Sequence, residues 1–94
     1  MRSPVENRAL GAVLMERERQ DKKWGVQEHD PCTWMTILGE EVGEACQEAL
    51  REKFGDVKLV RQYEKALYKE LSQVAAVAVA AMECLDRDKW WREV

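Results

Sequence analysis

The stretch KELSQVAAVAVAAM, Lys69 to Met82, decides how the rest of the chain is read. From Val74 to Met82 it is apolar on every side at helical spacing, which requires neighbours all round, and its alternating alanines let those neighbours come close. This is the expected centre of a helical bundle. No glycine or proline interrupts the chain from about Val57 to Arg87. One long helix is therefore expected, with Val60, Tyr63, Leu67, Val74, Val77 and Ala81 along one side and Gln62 as the place where a break would fall. At about 100° per residue, Glu70 falls inside that apolar side, and Gln73 lies one turn on, at its border. A lone ionised carboxylate buried there costs several kcal/mol unless it is paired, coordinated or protonated.

Two further helices are expected upstream. Ser3, Pro4 and Glu6 form an S-x-x-E capping box with proline at the first helical position, which satisfies amide donors that a helix start leaves open. This helix is expected from Pro4 to about Asp21, with Leu10, Val13, Leu14 and Arg17 at helical spacing. KKWGVQEHDPCT, Lys22 to Thr33, carries the breakers Gly25 and Pro31 and reads as a loop. Asp30 or Thr33 can cap the second helix, whose apolar positions Trp34, Leu38, Val42, Ala45 and Ala49 recur at three and four residues to about Arg51. FGD, Phe54 to Asp56, ends it. With no internal repeat and no low-complexity segment, residues 1–94 read as one all-α domain, a small helical bundle.

Chain length and composition narrow the choice. A chain of 94 residues buries only about 60 to 70% of its unfolded surface alone, so tight homo-oligomerisation is expected to complete the core. The composition, 46% hydrophobic and 35% charged with little Gly or Pro, suits packed helices. A net charge of -3 argues against nucleic-acid polymers, including a DNA-binding helical dimer, because such binding needs clustered Lys and Arg. Cys32, Cys46 and Cys84 stand far apart, and with His29 they form neither a zinc pattern nor a disulfide framework, so a reducing cytoplasm is expected. The start, MRSPVENRAL, lacks the apolar core of a signal peptide, and the longest apolar run is under half the ~20 residues of a membrane span. Neither export nor membrane insertion is expected.

The second helix carries its own concentration of charge. ILGEEVGEACQ, Ile37 to Gln47, sets Glu40, Glu41 and Glu44 within about one turn. With Trp34 marking the core face, Glu41 borders that face, Glu44 lies further round, and Glu40 points further toward solvent. By itself, GEEVGEACQEALREK is an ordinary solvated face, with Glu48 pairing a nearby Lys or Arg. Glu70 in an apolar stripe shifts the balance, because buried acids are rare unless matched. If the two helices pack side by side, Glu41, Glu44, Glu70 and Gln73 converge into an oxygen-rich cluster free of His and thiol. Such a set suits Mg²⁺, with Mn²⁺ as a substitute, and phosphates of a substrate completing the shell; zinc usually recruits His or Cys.

EEVGE at Glu40 to Glu44, followed by ELSQ at Glu70 to Gln73, resembles the EExxE then ExxD signature of the MazG-like, all-α nucleotide pyrophosphohydrolases. ERERQDKKWG from Glu16, TWMTILGEEVGEA from Thr33 and ELSQVAAVAVAAMECLDR from Glu70 are similar to the short phage and bacterial members. Together these segments cover about half of the 94 residues. The resemblance implies an Mg²⁺-dependent enzyme that hydrolyses a nucleoside triphosphate, often a deoxynucleotide, to the monophosphate and pyrophosphate, and that works as a helical dimer or tetramer. It makes Glu41, Glu44 and Glu70 metal ligands and Glu40 an acid that joins the metal shell or orients water. The general base is then Glu40 or Glu41. Gln73 departs from the signature, standing where the wider family has Asp, and a neutral oxygen holds Mg²⁺ more weakly than a carboxylate.

Other residues are read as supports. Arg17, Arg19, Lys22 and Lys23, near the end of the first helix, can reach phosphates, and Trp24 or Trp34 can stack on a base. Cations at a helix C-terminus also favour the macrodipole without a ligand, and tryptophans near turns often plug a core. His29 reads as a loop residue, and no Ser-His or Cys-His pair is legible. Trp90 and Trp91 are expected to dock on a partner subunit. The competing reading keeps the scaffold without the chemistry: a catalytically weak or inactive helical regulatory or interaction module, for which Gln73 is the main argument.

Overall fold

A computed structural model describes residues 2–88. Among these residues the regular structure is three α-helices and one short 3-10 turn, without a strand. Helix α1 is Pro4–Trp24, α2 is Pro31–Phe54 and α3 is Val60–Asp88, with the 3-10 turn Val57–Leu59 leading into α3. The all-α reading holds. The docking expected of Trp90 and Trp91 falls outside the described residues.

Local chemistry sets each boundary. Ser3 Oγ accepts from the Glu6 amide at 3.2 Å while the Glu6 carboxylate accepts from the Ser3 amide, with Pro4 at the first turn. Helix α1 continues three residues past the expected Asp21, because Lys22, Lys23 and Trp24 are all compatible with a helix. Gly25 is what stops it. Its φ of 73° with an extended ψ is a conformation that a side chain disfavours, and its amide closes on the Asp21 carbonyl. Of the two candidate caps for α2, Asp30 serves: its carboxylate accepts from the Thr33 amide at 2.9 Å and from the Thr33 hydroxyl at 3.0 Å. Pro31 therefore opens α2 instead of lengthening the loop. The helix runs past the last periodic positions near Arg51 and ends at Phe54, in the FGD stretch, and α3 passes through Gln62 without a break.

Helix α3 is the element on which both α1 and α2 pack. Trp34, Val77 and Cys84 form the buried centre, with Ile37, Leu38, Ala80 and Ala81 against them. Ala45 and Ala76 are buried as well. Two ionic clamps fasten the rest to α3. Arg17, buried on α1, binds Glu83 through Nη2 at 2.6 Å and Nε at 3.0 Å. Arg87 binds Glu28 at 2.8 Å and the Gln27 carbonyl at 3.1 Å, while the Cys84 thiol donates to Glu28. These last contacts hold the α1–α2 loop over the end of α3.

A single chain leaves much of the expected core uncovered. Val42, Leu71 and Met82 are exposed, Met82 to 67%, although the sequence places Val42 on the core stripe and Met82 at the bundle centre. The radius of gyration, 15.6 Å, exceeds the ~12 Å of a compact chain of this length.

Gly55 is sterically required where α2 turns toward α3. A Cβ there would run into the Arg51 carbonyl and come within 3.0 Å of the Tyr63 ring. Gly55→Ala is expected to lower the unfolding free energy by about 1–3 kcal/mol, read from urea denaturation. An unchanged midpoint would show that the turn relaxes freely.

Candidate metal centre

Glu41 and Glu44 stand one turn apart on α2, and Glu70 comes from the facing side of α3. The α2–α3 contact through Trp34 and Val77 brings the two helices together. One carboxylate oxygen from each of the three acids lies within 4.8 Å of the other two. Glu41 and Glu70 are half-buried and Glu44 is exposed. In both half-buried acids Oε2 is shielded from solvent and has no hydrogen-bond partner in the protein. That is a costly condition for an ionised group unless a cation answers it.

The electrostatics follow from this crowding. Loss of solvation, then the charges of Glu44, Glu70, Glu16 and Glu40, push the Glu41 carboxyl above its ordinary range. Burial also raises Glu70, followed by the charge of Glu44 and a hydrogen bond with it. Glu44 and Glu70 therefore sit close enough to share a proton when one is protonated. Glu48, which also acts on Glu70, is neutralised by Arg51 at 2.6 Å, as the ordinary helix-face reading expects.

A cavity of about 570 Å³ opens beside the acids. Glu41, Glu44 and Gln73 form one wall, and Trp34, Ile37 and Val77 form an apolar floor. Helix α1 supplies the opposite wall with Glu16, Arg17, Arg19 and Trp24, and the loop adds His29. The His29 ring meets Trp34 edge-on at 4.8 Å. Trp34 is 4% exposed, so its indole is a wall of the cavity and part of the core at once. A pocket of this volume with an apolar floor and a few convergent charges is typical of small-molecule sites.

The remaining residues singled out from the sequence divide by position. Glu70 joins the acid cluster but does not line the cavity. Glu40 is exposed and off the cavity wall, and it reaches Glu41 only through its charge. Arg17 reaches the wall with its nitrogens already engaged by Glu83, Gln20 and Asp21. Lys22 and Lys23 are exposed and lie off the wall, and Lys23 Nζ sits 4.6 Å from the Trp24 ring. Trp24 and Trp34 both line the cavity.

Glu16 and Glu83 were not anticipated. Glu16 was visible as an acid three residues before Arg19, but its burial was not. Glu83 meets Arg17 across 66 positions, a pairing with no local signal. No family model, curated protein or solved structure matches the sequence.

The raised carboxyls fix the sign of a pH effect. Between the ordinary value of 4.5 and the raised values, the folded chain binds more protons than the unfolded one, so stability increases as pH falls through that window. Glu28 and Asp30, held low by hydrogen bonds from Cys84 and from the Thr33 amide respectively, act oppositely and only at lower pH. The metal-free protein is therefore expected to melt a few degrees higher at pH about 5 than at pH about 7. Glu70→Gln should flatten the trend, and a melting point lower at pH about 5 than at pH about 7 would contradict the burial of these acids.

Proposed function

We propose that this chain is a MazG-like, Mg²⁺-dependent nucleoside triphosphate pyrophosphohydrolase that cleaves a ribo- or deoxyribonucleoside triphosphate to the monophosphate and pyrophosphate. The observation that carries the reading is the three-carboxylate cluster with two buried, unpartnered oxygens. Its members come from the EEVGE and ELSQ stretches on which the resemblance rests. The donor set is all oxygen, which fits a hard dication and not a metal that seeks imidazole or thiolate. Glu41, Glu44 and Glu70 would hold Mg²⁺, or Mn²⁺ in its place, and Gln73 on the same wall offers an amide oxygen. Bound there, such an ion supplies neutralisation of phosphate charge and acidification of water.

The chain's own groups supply the rest. The apolar floor around Trp34 and the exposed face of Trp24 receive the base, and the acid wall faces the phosphates. A water oxygen forms a bond to the α-phosphorus while the bond from that phosphorus to the α–β bridging oxygen breaks, so pyrophosphate departs with the bridging oxygen. The water proton passes to a carboxylate: Glu41 on the cavity wall, whose burial strengthens its hold on a proton, in preference to Glu40, which is exposed and off that wall. No covalent nucleophile is needed.

We place the working form as a cytoplasmic homodimer or homotetramer. The accessible surface of 7336 Å² exceeds the ~5,600 Å² of a compact monomer of this mass by an amount comparable to one chain's share of an obligate interface. None of the described helices is long and apolar enough to cross a membrane. The alternative, an inactive regulatory module on the same scaffold, draws on Gln73, a neutral side chain on the acid wall where the signature carries a carboxylate.

Purified protein with Mg²⁺ is expected to release pyrophosphate from at least one member of a nucleoside triphosphate panel. Glu41→Gln and Glu70→Gln should each lower kcat/KM by about 10²-fold or more. Silence with every nucleotide under both Mg²⁺ and Mn²⁺ would favour the inactive module. Sedimentation equilibrium should give at least twice the 10.9 kDa chain mass, and a monomer at micromolar concentration would refute the assembly.

A further inference from the structure

Three arginines line the cavity, and their bonding differs. Arg17 is committed on every nitrogen: Nε and Nη2 to Glu83, Nη1 to Gln20, and Nη2 also to Asp21. Drawing it toward a ligand would release α1 from α3. Arg87 holds the loop through Glu28 and Gln27 near the C-terminal end of α3, where its electrostatic partners are Glu28, Cys84 and Glu83. Arg19 is different. It is half exposed, and its contacts are with its own helix: Glu16 takes Nε at 2.9 Å and Nη2 at 2.6 Å, and the Trp24 ring lies 5.9 Å from the guanidinium carbon.

Glu16 is buried and cannot follow a mobile partner. It holds one edge of the guanidinium fork, and among the described residues the edge bearing Nη1 has no hydrogen-bond partner. Arg19 lines the same cavity as Glu41 and Glu44, and of the three arginines it is the one on which the Glu41 charge acts. Its fork is thus held by Glu16 on the α1 wall of the cavity that these acids also line. A planar fork with a free edge suits phosphate oxygens, and fixing it beforehand reduces the ordering cost of binding.

We propose that Arg19 is the side chain that binds the polyphosphate of the substrate, with Glu16 as its positioning residue. Arg17 then serves as a structural clamp, and Lys22 and Lys23 make no specific phosphate contact. This rests on the pyrophosphohydrolase reading and deepens it. The cation bound by α2 and α3 and the guanidinium held by α1 would grip the phosphates from opposite walls of the cavity.

The test is titration of the full chain with pyrophosphate in the presence of Mg²⁺, beside the kinetics of the best nucleoside triphosphate. Arg19→Gln should weaken pyrophosphate binding and raise KM by about tenfold or more. Arg19→Lys, which keeps the charge and loses the fork, should recover only part of that affinity. Binding of the corresponding unphosphorylated nucleoside should not change. Lys22→Gln and Lys23→Gln should each alter pyrophosphate affinity by less than roughly threefold. Because Glu16 is buried, Arg19→Gln also removes its cation and should lower the melting temperature, whereas Arg19→Lys keeps a cation beside it, so comparing the two variants separates folding from phosphate contact. Wild-type pyrophosphate affinity in Arg19→Gln, full recovery in Arg19→Lys, or an equal loss in Lys22→Gln overturns the assignment while leaving the pyrophosphohydrolase reading intact. A wild-type chain that neither binds pyrophosphate with Mg²⁺ nor turns over any nucleotide overturns both.

Discussion

The structure depends on apolar packing between α2 and α3 that forces like charges together. Trp34 and Val77 bring the helices into contact, and that contact holds carboxylate oxygens of Glu41, Glu44 and Glu70 within 4.8 Å of one another. At that separation and an effective dielectric near 20, each pair of full charges repels by about 3 kcal/mol. Burial of the Trp34 indole offsets part of this, and a shared proton or a cation offsets the rest. The cluster is a local cost that the fold sustains, as expected where the environment shifts proton affinities for a purpose.

Charge is sorted across the cavity by element. Helix α2 supplies Glu41 and Glu44 to the wall without a cation of its own there, while α1 supplies Arg17 and Arg19 together with the acids Glu16 and Asp21 that bind them, and the two arginines divide the work through their bonding. Glu83 satisfies Arg17 and turns it into a bolt between helices. Glu16 satisfies one edge of Arg19 and leaves the fork oriented. The loop is held in the same manner by Arg87 and Cys84 on Glu28, which sets His29 against Trp34 and closes the wall. A site built this way owes its shape to ion pairs between distant parts of the chain, and its floor to the core.

The hub helix is only partly covered. Ala76 and Val77 are buried, while Leu71 and Met82 remain exposed. A chain this short lacks enough apolar surface on α1 and α2 to enclose a 29-residue helix. The exposed positions share the alanine-rich segment that reads from sequence as a bundle centre, which is the physical ground for expecting a second copy.

The sequence by itself determined the three helices, the start of the first at Ser3, the end of the second in FGD, and the presence of Glu70 on an apolar stripe, because capping and helical period act within a few residues. It left Asp30 and Thr33 both open as the cap of α2 and placed the end of α1 three residues short, since Gly25 stops that helix and the residues between are compatible with it. Meeting of Glu41, Glu44 and Glu70 was legible as a condition: it needed α2 beside α3, and local pattern does not state which helices touch. Only the tertiary structure decided that Arg17 is taken by Glu83, that Arg19 keeps a free edge, that Glu40 faces solvent and that Glu16 is buried. Each of these depends on partners or neighbouring helices brought close by packing, and an amphipathic pattern records which face a helix buries without recording what it buries it against.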